Sequence, residues 1–227
     1  AKIIDKQVES DIKGKTTHTD FLDMAQQKLA NSFIQKQKID NCKWQGGYLE
    51  AQRKKLYFYP KKGVKQDEIE IGVLRVKLPK DKIGKYEHRI YLGGLLKLGI
   101  KREKIGDILV LEDGADILVE KEILSFLVTH LNDLVRFQKV SCQEEELKNI
   151  KIPMQRKEER KIIVSSMRLD TVISAIIGCS KSKAEEYLKE ERVVLNYETT
   201  NKGIKEVKEN SVLTIHGKGK YDIIEIE

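Results

Sequence analysis

The stretch MRLDTVISAIIGCSKSKAEEYLKEERVVLN, Met167 to Asn196, decides how the last third of the chain folds. Met167, Leu169, Val172, Ile173, Ile176 and Ile177 recur at the spacing that lines one face of a helix, and Gly178 stands where the helix would end. Arg168 and Asp170 then point away from the apolar stripe. Ser180 is an available N-cap for a second helix, Ser182 with Glu185 offers an alternative capping box, and Ala184, Tyr187 and Leu188 supply a buried face. Lys181 and Lys183 fall in the first turn of that helix, where each cation opposes the helix dipole by roughly 0.3–1 kcal/mol. A bound phosphate reverses the sign, because helix N-termini and lysines both favour anions. After the two helices, VVLN reads as strand and turn, VLTI as a strand, and GKGKYDIIEI as a glycine-rich strand approach carrying Lys218 and Lys220.

Upstream, NIKIPMQRKEERK joins a proline to dense charge without periodicity and reads as a linker. TDFLDMAQQKLANSFIQK, Thr19 to Lys36, has Thr19 as a cap and Phe21, Leu22, Ala25, Leu29 and Phe33 at helical spacing, and residues 2–13 form another expected helix. KLYFYP and IEIGVLRVKL read as strands, with the change of phase in the second suggesting a bulge. HRIYLGGLLKLG returns to helical period with Gly99 as C-cap, and Asp113-Gly114 between two apolar runs predicts a hairpin. EKEILSFLVTHLNDL is a further helix and VRFQKVS a further strand. The order fits an α+β protein with four parts. These are an N-terminal helical segment at 1–43, a ferredoxin- or RRM-like split β-α-β domain at 44–148, a linker at 149–160, and a small C-terminal domain at 161–227.

The 227 residues carry 43 Lys or Arg against 36 Asp or Glu, a net charge of +7 that suits a polyanionic partner, nucleic acid first. Arg53 to Lys104 holds sixteen basic and six acidic residues, whereas Ile105 to Ile150 holds four and ten. From Lys161 onward the signs balance at eleven each, so anion binding there must come from local placement. No apolar run approaches the roughly 18–20 residues of a membrane span, and AKIIDKQVESDIKG lacks a signal-peptide core, which makes the cytoplasm the expected location. Cys42, Cys142 and Cys179 are too far apart for a metal knuckle, the four histidines lack ligand spacing, and Glu9 occupies a position that a phosphate-binding loop reserves for glycine. No metal site, cofactor or catalytic constellation is therefore expected.

MRLD, the Ser180-Lys181-Ser182-Lys183-Ala184 turn, VVLN and the late Gly217-Lys218-Gly219-Lys220 resemble, in order and spacing, the S4-like (alpha-L) RNA-binding domain over roughly Val164 to Ile226. The resemblance implies that Arg168, Asp170, Ser180, Lys181, Ser182, Lys183, Asn196, Lys218 and Lys220 meet RNA. It departs from the pattern at Glu191, where the family often has glycine, at His216, where arginine is common, and at Asn210-Ser211, which replaces a Gly-Asp turn. TDFLD, GGYLEAQRKK and EHRIYLGGLLKLGIKREKIGDILV, with the C-terminal domain, resemble the bacterial YlmH family over nearly the full length. That implies a non-catalytic, ribosome-associated protein that binds structured RNA, ribosomal RNA or tRNA, as a monomer, with a role in rescue or quality control of stalled large subunits.

The alternative is an RNA-modifying enzyme such as a pseudouridine synthase, since this domain is often attached to synthases whose catalytic aspartate lies in an Arg-Leu-Asp triplet. Here TVISAI continues a helix after Asp170 instead of forming the catalytic loop. A second candidate RNA-binding set surrounds Tyr57, Phe58 and Tyr59, namely Arg53, Lys54, Lys55, Lys61 and Lys62. Those aromatics could stack bases or fill a core.

Overall fold

The computed structural model describes residues 2–61, 69–153 and 158–226, and these fall into two compact units, Ala1–Gln155 and Arg156–Glu227. The first unit begins with helix α1 (Lys2–Lys13), the short strand β1 (Thr17–His18) and helix α2 (Met24–Gln37). Helix α2 starts later than its apolar spacing suggests. Asp23 caps it, accepting from Gln26 N at 2.8 Å, while the Gln26 carboxamide accepts from Asp23 N at 2.9 Å. Thr19 stays extended because its Oγ1 accepts from Leu56 N at 3.0 Å, and its own N–H reaches Leu56 O. Phe21 is thereby released from the helix and becomes a fully buried plug.

Strands β2 (Cys42–Gln45) and β3 (Lys55–Phe58) follow, and β3 pairs antiparallel with both β1 and β2 in a three-stranded sheet. Next come strand β4 (Ile71–Lys77), helix α3 (His88–Lys97), strands β5 (Ile105–Leu111) and β6 (Gly114–Glu120), helix α4 (Leu124–His130) and strand β7 (Ser141–Glu145). This is a β-α-β-β-α-β run, and its antiparallel sheet has the order β5-β6-β4-β7. The α+β class expected from the sequence is what the chain adopts.

The phase change in IEIGVLRVKL has a cause other than a bulge. Strand β4 is regular and buried on both sides: Leu74 and Val76 meet Tyr91, Leu95, Leu127 and Phe137 on the helical side, while Ile71 meets Phe21, Leu109 and Leu118 on the other. The register shift lies in β5, between Ile105 and Ile108. The hairpin forms as expected, but its turn is Glu112-Asp113, since Leu111 pairs with Gly114. Gly114 is needed by the neighbouring strand instead: a Cβ there would come within 1.8 Å of Val76 O. VRFQKVS is not a strand, because Val135–Phe137 forms a 3-10 turn that seats Phe137 in the core; the strand begins only at Ser141.

On the side of the sheet away from the helices, Arg75 forks onto Asp116 at 2.7 and 2.8 Å, pairs with Glu145, and donates to Asn149 O. Lys55 reaches across from β3 to Glu120, Nζ to Oε2 at 2.7 Å, and the pair is almost wholly buried. The second unit contains helices α5 (Leu169–Ile177) and α6 (Lys181–Lys189) and strands β8 (Val193–Leu195), β9 (Glu198–Thr199), β10 (Val212–Ile215) and β11 (Gly219–Asp222). Its sheet order is β11-β10-β8-β9, and Leu169, Val172, Ile173, Ala184, Leu188, Val193, Leu213 and Ile215 share one core. Among the described residues no helix is long and apolar enough to cross a membrane.

Candidate nucleic-acid interface

Helix α5 begins one residue after Arg168, and Asp170 sits in its first turn, where a carboxylate complements the dipole. Asp170 is not presented to solvent. It is 2% exposed, and its oxygens accept from Arg168 Nη2 at 2.6 Å and Nε at 3.2 Å and from Thr171 N at 2.7 Å. Lys181, the first residue of α6, places its Nζ 3.6 Å from the same carboxylate. Both cations remain substantially exposed. The Arg168 hydrogen bonds, helped by those from Thr171 and opposed by burial, hold Asp170 down at about 2. A role for Asp170 as an RNA contact is thus corrected: it is the buried anchor that fixes Arg168 and Lys181 side by side.

The same corner is closed by a loop whose part sequence reasoning missed. Leu169 N donates to Lys205 O, Asp170 N to Gly203 O and Val207 N to Met167 O. A Cβ on Gly203 would lie 3.1 Å from the Asp170 side chain, so Lys202 and Lys205 are carried to the start of α5. Lys202 is exposed; Lys205 stands 3.9 Å from Glu198. The glycine between two lysines in NKGIK was the available signal, and it carries no helical or strand period.

At the α5–α6 turn, Gly178 adopts the left-handed conformation (φ 63) and Ser180 caps α6 by accepting from Lys183 N at 3.3 Å. Ser182 is exposed and is not the cap. Lys183 pairs with Glu186 one turn on, which offsets its unfavourable place in the dipole. Asn196 is a turn residue at φ 52: its Oδ1 accepts from Val212 N at 2.9 Å, and that bond braces β8 against β10. Lys218 and Lys220 lie exposed on the β10–β11 hairpin, and Lys220 Nζ sits 5.8 Å from the centre of the Tyr197 ring. The structure therefore gathers Arg168 and Lys181 around Asp170, with the exposed Lys202 next to Gly203 in the loop that covers it, and Lys220 and Tyr197 beside Asn196. Arg192, stacked 4.5 Å above the Tyr187 ring and donating to His216 O, is a further cation that the sequence pattern did not single out.

The departures from the S4-like pattern have a backbone meaning. Glu191 and Asn210 both have positive φ, 54 and 60. A glycine would take Glu191's conformation freely, whereas Glu191 holds it at a cost; asparagine tolerates it better.

The second candidate set fares differently in the first unit. Lys55 is 0% exposed, paired with Glu120 and donating to Glu70 O, and Arg53 is spent on the carbonyls of Phe21, Arg102 and Ile105. Lys55 is thus held inside the unit, since removing it from Glu120 would strand a buried carboxylate, while the half-buried Arg53 has its guanidinium engaged with backbone carbonyls. Tyr57 and Phe58 are core. Lys54 is half-buried, Lys61 is exposed, and Lys62 lies outside the described residues. Among the described residues, Phe21 with Tyr48, Leu147 and Ile150 covers part of the face of the four-stranded sheet away from its helices. Among the described residues no group of three or more His, Cys, Asp or Glu could hold a metal, and burial pushes the Cys142 thiol up to about 11.

Residues 64–149 match the family described as "Putative RNA-binding domain in YlmH". Over 210 residues the chain is 29% identical to the ribosome-associated protein quality control protein P2 of Bacillus subtilis (strain 168), covering 92% of this chain and 80% of that one. The solved structure of the cell division protein ylmH from Streptococcus pneumoniae is similar in fold, with a TM-score of 0.53 and 23% identity, covering 66% of this chain and 91% of that one. On these matches the chain is similar to the YlmH-like proteins.

Proposed function

We propose that the protein is a non-catalytic RNA-binding protein that acts as a cytoplasmic monomer on structured RNA of the ribosome, ribosomal RNA or tRNA, in rescue or quality control of stalled large subunits. In this reading residues 161–227 form an S4-like domain that docks the RNA, 44–148 form the middle domain, and 149–160 link them. The observation that carries it is the corner at the start of α5, where one buried carboxylate fixes two exposed cations against a helix N-terminus. A phosphate placed there would meet the guanidinium of Arg168, the ammonium of Lys181 and the first free N–H groups of α6, all preorganised without RNA. The name of the Bacillus subtilis relative supports the ribosomal setting.

Covalent chemistry at Asp170 is disfavoured by the same geometry, since a nucleophile must reach its substrate and both oxygens of this carboxylate are engaged beneath the surface. Crosslinking in cells followed by sequencing of the attached RNA tests the proposal. Large-subunit ribosomal RNA or tRNA should dominate the wild-type reads and fall several-fold in a Lys181→Gln, Lys202→Gln variant. Reads spread evenly over messenger RNA, unchanged in the variant, would sink it.

A further inference from the structure

The first unit contains a cleft of about 1250 Å³ that the RNA reading leaves unused, lined by α1, the extended run before α2, α2 itself and the far end of β6. Its wall is apolar, with Phe21, Leu29 and Phe33, and Leu29 is 73% exposed although it faces this cleft. Its floor includes Glu120, which is 3% exposed. Glu120 Oε2 accepts from Lys55 Nζ, but Oε1 has no hydrogen-bond partner. Lys55 Nζ also donates to Glu70 O and lies 5.6 Å from the ring centres of both Phe21 and Tyr57, and its bond to Glu120 goes to Oε2. A buried carboxylate oxygen without a donor is a rare and unfavourable arrangement, and it asks for an N–H group from outside.

The charge of the cleft says what kind of donor. Seven lining residues are Asp or Glu and four are Lys or Arg, in a chain whose net charge is +7. The four cations are engaged: Arg53 and Arg102 with backbone carbonyls, Lys104 with Asp20 and Glu122, Lys6 with Glu9. His18, which also lines the cleft, is pushed toward its neutral form by burial and by Lys55. Phosphate is repelled by such a surface and a cation is drawn to it. The volume exceeds the roughly 300–1,000 Å³ of small-ligand pockets, and the apolar wall suits side chains between the charges.

We propose that this cleft binds a basic peptide segment of a partner protein, one arginine or lysine reaching Glu120 Oε1 while neighbouring apolar side chains pack on Leu29 and Phe33. The segment adds to RNA binding and does not depend on it. The test uses the full chain and a fluorescent octapeptide that alternates leucine with arginine, against the same peptide with citrulline, a neutral isostere, at each arginine. The arginine peptide should bind about tenfold or more tightly, the range expected for a charge-assisted bond to a buried carboxylate. Glu120→Gln should remove that preference, and Leu29→Lys, a surface change, should weaken the arginine peptide several-fold without altering the melting temperature. If Glu120→Gln fails to fold, the Leu29→Lys result decides alone. Equal affinity for the two peptides, unchanged binding by the folded variants, or displacement of the peptide by spermidine or an RNA hairpin at comparable concentration would overturn the proposal.

Discussion

Asp170 does its work from beneath the surface, and the consequence can be measured by pH. Its ordinary value is 3.8 and the folded protein holds it at about 2, so the carboxylate's contribution to stability is complete above about pH 4 and disappears as the pH falls toward 2. Asp170→Asn should cost the second unit about 1–3 kcal/mol at pH 7, because Arg168 loses a charged acceptor and Thr171 N a strong one. Thermal melts should show the gap between wild type and variant closing as the pH drops from 5 to 2; a gap that is the same at both ends would show that Asp170 is not held in its charged form. Glu191 offers a change of the opposite sign. Its left-handed backbone is one that L side chains occupy at a penalty, and Glu191→Gly should raise stability by up to about 1 kcal/mol after the extra freedom of the unfolded glycine is subtracted. A loss of stability in chemical denaturation would mean that the Glu191 side chain makes contacts that outweigh the strain.

At the scale of elements, the glycine pair in α3 separates packing from propensity. Gly94 lies against Phe137, whose ring carbon would be 2.6 Å from an added Cβ, while Gly93 faces open space. Gly93→Ala should stabilise the helix by about 1 kcal/mol, and Gly94→Ala should destabilise the unit by about 1–3 kcal/mol through overpacking. Unfolding midpoints that move in the same direction for both would contradict the packing described here. These glycines also show what was legible in the sequence. Local rules identified α3, its end at Gly99, the β5–β6 hairpin, the Gly178 terminus and the Ser180 cap, because each depends on residues within four or five positions. What escaped them depends on distant partners. Asp23 and Leu56 take Thr19 away from the helix, Val76 makes Gly114 necessary, and a sheet covered on both sides mimics a bulge in β4. The candidate site divides the same way: Ser180 and Lys181 were readable from capping, whereas the burial of Asp170 requires the 203–207 loop, which has no period to announce it.

Across the whole molecule, charge is sorted more strictly than composition suggests. The basic excess between Arg53 and Lys104 is partly internal, with Lys55 and Arg75 neutralised by buried acids and Arg53 and Arg102 tied to carbonyls, so sequence charge overstates the cationic surface of the first unit. From Lys161 onward there is no net excess, yet Arg168, Lys181, Lys202, Lys218 and Lys220 all keep exposed side chains. Local placement therefore matters more than net charge, and the central claim is that these placed cations hold RNA phosphates. The most direct measurement is the salt dependence of binding to transcribed large-subunit ribosomal RNA, for the full chain and for Lys181→Gln, Lys218→Gln, Lys220→Gln combined. If each lysine holds one phosphate, the slope of log affinity against log salt should become shallower by roughly 0.7–0.9 per lysine removed, with an unchanged melting profile. An unchanged slope and affinity in a folded triple variant would contradict the account and take the RNA site away from the second unit.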